Sequence, residues 1–467
     1  MEKTLSTVAA LGLIVGVATS ASALELKVNG IYTVDGFYMD KSAGAASYNG
    51  GGGHGLQLAG NPGDQTNSDA WLQHMLNIEA VMVVNDKVSM QSRVRLIDWG
   101  TVWGSQDDTN VNNGHSMSVE KLWLNYHSPL GIWEIGRHDA GAWGLSFVDQ
   151  DAGGDRIIWK SGKLFGNQFS TYVCYEKFVE GEAYSSQTNN MDSDSIDTGA
   201  SLKGGWGAVT LGYGIRGDNT KNSADTSAST IWSLNPGTGL ITSTVTPAFY
   251  SFKTTTQRVR GVGQFKLGSN MGIDTEFDYK FGTKDFNNTK KTDQDINQLA
   301  YMVDFHATMA DLTGHAMYFH TSGDDNANDT YLKSYGSTGW DFEPLYILTG
   351  AFCNILNNYQ GANTSVFGTA AQTAGVHTGV LSADFTATQS LTLHGAISYA
   401  TADKEMAGWD KNYGFEYNAG TAYKLFDNLV YAVHLGYLDT GDFFKMGKTY
   451  KDTNAIFLAS HHLTMSF

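Results

Sequence analysis

Apolar and polar residues alternate with period two in short stretches along nearly the whole chain, which sorts side chains onto the two faces of β-strands. In residues 26–39, Leu26, Val28, Tyr32 and Val34 share one face and Lys27, Asn29, Thr33 and Asp35 the other. Residues 72–84 carry Leu72, Leu76, Ile78, Ala80, Met82 and Val84 on one face, and residues 88–99 set Val88, Met90, Val94 and Leu96 against Gln91, Arg93 and Arg95. Residues 258–267 gather Arg258, Arg260, Gln264 and Lys266 on one face, while residues 271–281 gather Asp274, Glu276 and Asp278. The same reading predicts strands at 118–127, 132–138, 156–160, 168–179, 196–203, 209–216, 296–308, 312–320, 376–387, 391–402, 413–425, 429–438 and 455–467.

Short turns and longer polar connections separate these strands in alternation, the signature of an all-β transmembrane antiparallel barrel with about 18 strands, 16 being the alternative count. Arginines near the bilayer midplane cost about 2–4 kcal/mol each, so Arg93, Arg95, Lys121, Arg258, Arg260, Lys266, Asp274, Glu276 and Asp278 are assigned to the water-filled lumen. All five prolines fall in predicted turns or loops, as they must where every strand N–H is needed for the ladder. Lys163-Leu-Phe-Gly-Asn167, Lys266-Leu-Gly-Ser-Asn270 and Lys424-Leu-Phe-Asp-Asn428 mark three turns at one end, with Gly and Asn expected to take positive φ. The connection 322–374 is long for an ordinary loop and contains the apolar runs 345–348 and 351–352, which suit a folded-in segment.

Composition narrows the class. Beyond a short apolar run at 5–17 no long apolar segment exists, which excludes helical spanning, while 23 Tyr, 23 Phe, 11 Trp and 54 Gly suit a barrel with aromatic girdles. That run, followed by Ala21-x-Ala23, reads as a secretory signal over residues 1–23, leaving 24–467 as one barrel. The net charge of −17 sits mostly in the long connections and argues against a nucleic-acid partner.

Candidate chemistry is sparse. His138-Asp139 is the one adjacent pair at a strand rim suited to acid–base work, and no Gly-x-Ser-x-Gly accompanies it, so no catalytic residues are assigned. Asp149, Asp151 and Asp155 alternate around glycines and form a weak Ca²⁺ candidate without the twelfth-place carboxylate of an EF-hand, so no metal and no cofactor are expected. Cys174 and Cys353 would be free to pair in an oxidising compartment.

The last stretch, with Leu463, Met465 and Phe467 on one face, resembles the carboxy-terminal assembly signal of Gram-negative outer-membrane barrels. With the signal segment, the alternating connections and the run from Lys121-Leu-Trp-Leu-Asn-Tyr126 to Gly136-Arg-His138, the chain resembles an outer-membrane porin. That resemblance implies passive diffusion of ions and small hydrophilic solutes. The partners it implies are outer-membrane lipid, lipopolysaccharide and the barrel-assembly machinery, with a homotrimer as an open assembly. It leaves open a solute-selective sugar, oligosaccharide or export channel and, further off, an outer-membrane enzyme or adhesin barrel. It also implies that the third long connection folds inward. The composition agrees, since Trp143, Leu145, Phe147 and Val148 are too apolar for a solvated loop while Asp139, Asp149 and Asp151 give it an acidic side.

Overall fold

The computed structural model describes residues 25–467 except 45–54, 64–66, 104–116, 139–143, 149–152, 163, 182–190, 223, 224, 226, 228, 235–240, 247, 248, 290, 327, 328, 337, 340, 351, 352, 359–372, 406 and 407. The expected signal segment therefore lies outside the described residues.

Eighteen antiparallel strands close into a barrel. In chain order they are β1 Glu25–Gly44, β2 Asn67–Asn85, β3 Val88–Val102, β4 Ser118–Ser128, β5 Gly131–His138 and β6 Gly154–Lys160. There follow β7 Phe169–Val179, β8 Ser193–Gly204, β9 Gly207–Asp218, β10 Phe252–Lys266, β11 Met271–Phe286 and β12 Gln294–Met309. The last are β13 Leu312–Thr321, β14 Val376–Thr388, β15 Leu391–Thr401, β16 Asn412–Phe426, β17 Leu429–Thr440 and β18 Ile456–Ser466. Each strand pairs with the next, and β18 pairs with β1 over Ile31–Met39, so the sheet has no free edge.

Side-chain chemistry explains the tight end. Asn85 Oδ1 accepts from Lys87 N–H and Val88 N–H at 2.9 and 3.0 Å, and Ser128 Oγ caps the next turn, accepting from Leu130 N–H at 3.2 Å. Of the three Lys-Leu-x-x-Asn turns only the first has the expected positive φ, at Gly166 (69°) and Asn167 (73°); the other two close without it.

The outer face is a belt of exposed Leu, Val, Ile, Phe and Tyr, including Leu122, Ile157, Leu211, Tyr213, Tyr417 and Tyr437. Such a surface on a closed barrel is built to cross a bilayer, where the paired backbone leaves no polar group unsatisfied. Among the described residues no helix is long and apolar enough to cross a membrane.

The buried apolar cluster lies inside the barrel, where connections from the long-loop end fold in: Phe147, Phe342, Leu345, Ile347, Leu348, Ile355 and Leu356 meet the inner wall at Phe319 and Tyr413. Strands run further at that end than the alternation indicates, and a hairpin of Ser229–Leu234 with Ile241–Thr246 stands in what reads as loop. Above the bilayer both strand faces meet water or packed loops, so the alternation that marks a strand is lost there.

Candidate functional site

Strands β10 and β11 set the inner wall. Their register places Arg258, Arg260, Val262, Gln264 and Lys266 opposite Lys280, Asp278, Glu276, Asp274 and Gly272. Parity turns all of these inward, because Val259, Phe277 and Tyr279 between them belong to the lipid face. The basic ladder is not free. Arg258 Nε donates to both Asp278 carboxylate oxygens at 2.8 and 2.7 Å, and Arg260 Nη2 reaches Asp197 Oδ1 on β8 at 2.8 Å. Arg93 Nε donates to Glu79 Oε1 at 2.7 Å, Arg95 pairs with Glu120, and Arg156 Nη2 donates to Glu176 Oε1 at 2.7 Å. Inward charges on neighbouring strands thus compensate one another. Asp197, Glu79, Glu120 and Glu176 are the partners the sequence reading missed, although their parity relative to each arginine carries the signal.

Three residues expected to line water do not. Lys121, opposite Arg93, is buried, and Glu276 and Asp278 are 1% and 0% exposed because infolded chain covers them. Lys266 and Asp274 do border open space, a cavity of about 1060 Å³ at the tight-turn end that also touches Lys203, Gln264 and His306. His138 faces inward, its Nε2 3.1 Å from Glu134 Oε2 and its ring 4.3 Å from that of Trp123.

Two wall glutamates hold the infolded connections. Gly144 (φ 108°) and Ser146 (φ 85°) flank Leu145, a backbone twist that aims the N–H groups of Leu145 and Phe147 at one Glu276 oxygen, 3.1 Å from each. The positive φ at position 144 favours glycine, and a Cβ there would stand 2.2 Å from Glu276 Oε1, forcing that carboxylate to move. On β16, the two oxygens of Glu416 accept from Ile347 N–H and Leu348 N–H at 2.7 Å each. Tyr346 lies flat on His434 with centroids 4.4 Å apart and fills the space above Gly420, where a Cβ would be 2.3 Å from its hydroxyl.

The two connections also bind each other. Gly339 N–H donates to Phe147 O at 2.7 Å, and the Phe147 ring meets those of Phe342 and Phe319 at 5.0 and 5.9 Å. Tyr335 donates its hydroxyl to Asp278, and Lys280 Nζ lies 4.0 Å over the Tyr335 ring. Burial raises the Tyr335 hydroxyl well above its ordinary pKa, so it stays a donor. Charge and aromatic packing together therefore hold both connections against the inner wall.

Of the expected constriction residues, Phe147 is fully buried in this contact, while Asp139, Trp143, Asp149 and Asp151 lie outside the described residues. Asp155, the third Ca²⁺ candidate, is exposed as the second residue of β6, with Arg137 3.7 Å away. Cys174 on β7 and Cys353 in the long connection are both buried and do not form a disulfide with each other. Burial pushes the Cys353 thiol up, so it is protonated and unreactive where it sits. Leu463, Met465 and Phe467 face outward at the seam with β1.

No protein-family model and no curated protein matches the sequence. Solved structures do match the fold. OpdQ of Pseudomonas aeruginosa superposes with a TM-score of 0.51 at 9% identity, covering 94% of this chain and 97% of that one. OccK9 (OpdG) of the same organism gives a TM-score of 0.51 at 10% identity, over 95% and 98% of the two chains, and OpdO gives 0.50 at 10% over 94% and 97%. The chain has the barrel fold of outer-membrane porins.

Proposed function

We propose that the protein is an outer-membrane channel through which ions and small hydrophilic solutes diffuse passively, with flux limited by the two connections held on Glu276 and Glu416. The observation that supports this most is the combination of a lipid-compatible outer face with a charged inner wall narrowed by gripped loops. A closed surface adhesin would have no use for paired charges along its lumen. A solute-selective channel is the second reading, supported by the inward Tyr346, His394, His434 and His462 rings, which offer stacking and hydrogen bonds beside the narrowed zone.

In this reading residues 1–23 are removed on export, and the outer belt meets lipid and lipopolysaccharide. The last strand, with Leu463, Met465 and Phe467, is handed to the assembly machinery, and three copies associate. Single-channel recording of the purified barrel tests the function. Ohmic conductance with a defined reversal potential in a salt gradient is expected; bilayers that stay silent with folded protein would reject it. Saturable block by one solute class would favour the selective reading.

A further inference from the structure

His320 and His377 are direct cross-strand partners on β13 and β14, at the end where the 322–375 connection leaves the wall and returns. Their rings stack at 4.4 Å, and Asp403, from the connection after β15, completes a group whose donor atoms all lie within 4.8 Å of one another. Each donor is held by a second partner. His320 Nδ1 is 3.1 Å from Val376 O, a carbonyl that can only accept, so the proton is on Nδ1 and the Nε2 lone pair is free. His377 Nδ1 is 2.6 Å from the Tyr318 hydroxyl, which leaves Nε2 directed at Asp403 Oδ1, 3.1 Å away. Asp403 Oδ2 accepts from Gly323 N–H at 2.9 Å and lies 3.4 Å from Lys404 Nζ, so Oδ1 remains for the histidines.

We propose that His320 Nε2, His377 Nε2 and Asp403 Oδ1 bind one divalent transition-metal ion of the Zn²⁺ class. Two imidazoles and one carboxylate with an open fourth position match the donor preference of such ions, whereas Ca²⁺ and Mg²⁺ call for oxygen donors. Outer partners on every ligand, a carbonyl, a phenol and a backbone N–H, are the arrangement that orients metal-ligating side chains. On binding, the ion takes the place of the His377 Nε2 proton; the ring changes tautomer, so that Nδ1 carries the proton and donates to the Tyr318 oxygen while the Nε2 lone pair faces the ion. Metal–donor bonds of about 2.0–2.2 Å require the three side chains to close in by roughly an ångström. His377 is partly exposed and gives the ion its way in.

The place of the site gives it a consequence. Gly323 N–H is bound to Asp403, and Lys404 N–H donates to Ala374 O at 2.8 Å, so both ends of the infolded connection are already tied to the loop that carries Asp403. A metal ion there would lock this neck.

The test uses the full-length barrel, folded in detergent and stripped with EDTA, titrated with Zn²⁺ by calorimetry and with Co²⁺ by visible absorption. One ion per chain is expected, with the d–d bands of a four-coordinate nitrogen–oxygen site. H320A, H377A and D403N should each weaken binding more than about tenfold, and Tyr318→Phe, which removes an outer partner, by about tenfold. H127A, near a tight turn at the opposite end, should leave it unchanged. Absence of saturable binding to wild-type protein below about 100 µM would overturn the proposal, as would undiminished binding in a folded H320A/H377A protein. Stoichiometry and spectrum of the wild type need no variant, so they decide the matter even if a substitution prevents folding.

Discussion

The ring of Phe467 covers Gly30, its cross-strand partner at the seam where the last strand closes onto the first. A Cβ at Gly30 would stand 2.2 Å from Phe467 Cζ, and the two backbones exchange hydrogen bonds of 2.8 and 3.0 Å. The device repeats at Gly36, where a Cβ would stand 2.1 Å from His461 Nε2. An aromatic ring laid over a strand glycine restores the packing that the missing side chain forgoes. Because Phe467 is half exposed, its ring can swing aside, so Gly30→Ala should cost the ring contact and leave the backbone in place. G30A and F467A are then expected to be non-additive, with a coupling of about 0.5–3 kcal/mol in a double-mutant cycle read by denaturant unfolding. Strict additivity would mean that the ring contributes nothing at the seam.

Strand register predicts opposite outcomes for adjacent positions on β10. Val259 faces lipid near mid-strand, so Val259→Arg should destabilise the barrel by about 2–4 kcal/mol while Val259→Leu is neutral. Arg258 faces inward onto the fully buried Asp278, so Arg258→Asp should also lower the folded fraction, but adding Asp278→Arg should restore it. Heat-modifiable mobility on gels measures both. A tolerated V259R would place the register one residue off.

Much of the barrel was legible because period-two alternation is imposed wherever one face meets lipid and the other water. His461 interrupts the apolar face of the last strand, and Gly36 stands opposite it; the irregularity belongs to a pair, and a linear reading cannot see pairs across the seam. Glu276 and Asp278 share the inward parity of β11. Their parity is visible in the chain, but that Leu145, Phe147 and Tyr335 cover them depends on contacts far apart in sequence. The apolar run at 345–348 did signal burial, without indicating that Glu416 would hold it.

Removing that hold should open the lumen. Glu416→Ala leaves the N–H groups of Ile347 and Leu348 buried without acceptors, at about 1–3 kcal/mol each, which favours release of the segment. Glu276→Ala does the same to Leu145 and Phe147 on the other connection. Each variant should show higher and noisier single-channel conductance with the barrel intact, and the double variant more than either. Unchanged conductance in a folded E276A/E416A protein would show that the constriction lies elsewhere.

Sterics offer a route to the same end without touching charge. Gly420→Val would drive a side chain into the Tyr346 hydroxyl, and Gly436→Val into Ile347, whose Cγ1 would be 3.0 Å from a bare Cβ. Both glycines lie on the inner wall, so neither change alters the lipid face or the ladder. Raised conductance with normal folded yield is expected. A loss of folded barrel instead would mean that the segment is needed for assembly as well as for narrowing.

Cys353 reports on the same segment directly. It lies 3% exposed between the runs that pack at Leu348 and Ile355, and burial holds its thiol protonated. A maleimide needs both access and thiolate, so the buried residue should label slowly at neutral pH. In a Cys174→Ser background, Cys353 is the only thiol, and its labelling rate follows the equilibrium between held and released segment. Glu416→Ala and Gly420→Val should each speed labelling at least about tenfold, which corresponds to about 1.4 kcal/mol of lost holding energy. Glu276→Ala should have a smaller effect, since it acts on Cys353 only through the Phe147–Gly339 hydrogen bond and the rings of Phe147 and Phe342. Equal rates in all variants would mean that the segment opens independently of both glutamates, and the grip on Glu416 would then be a packing contact without control over the lumen.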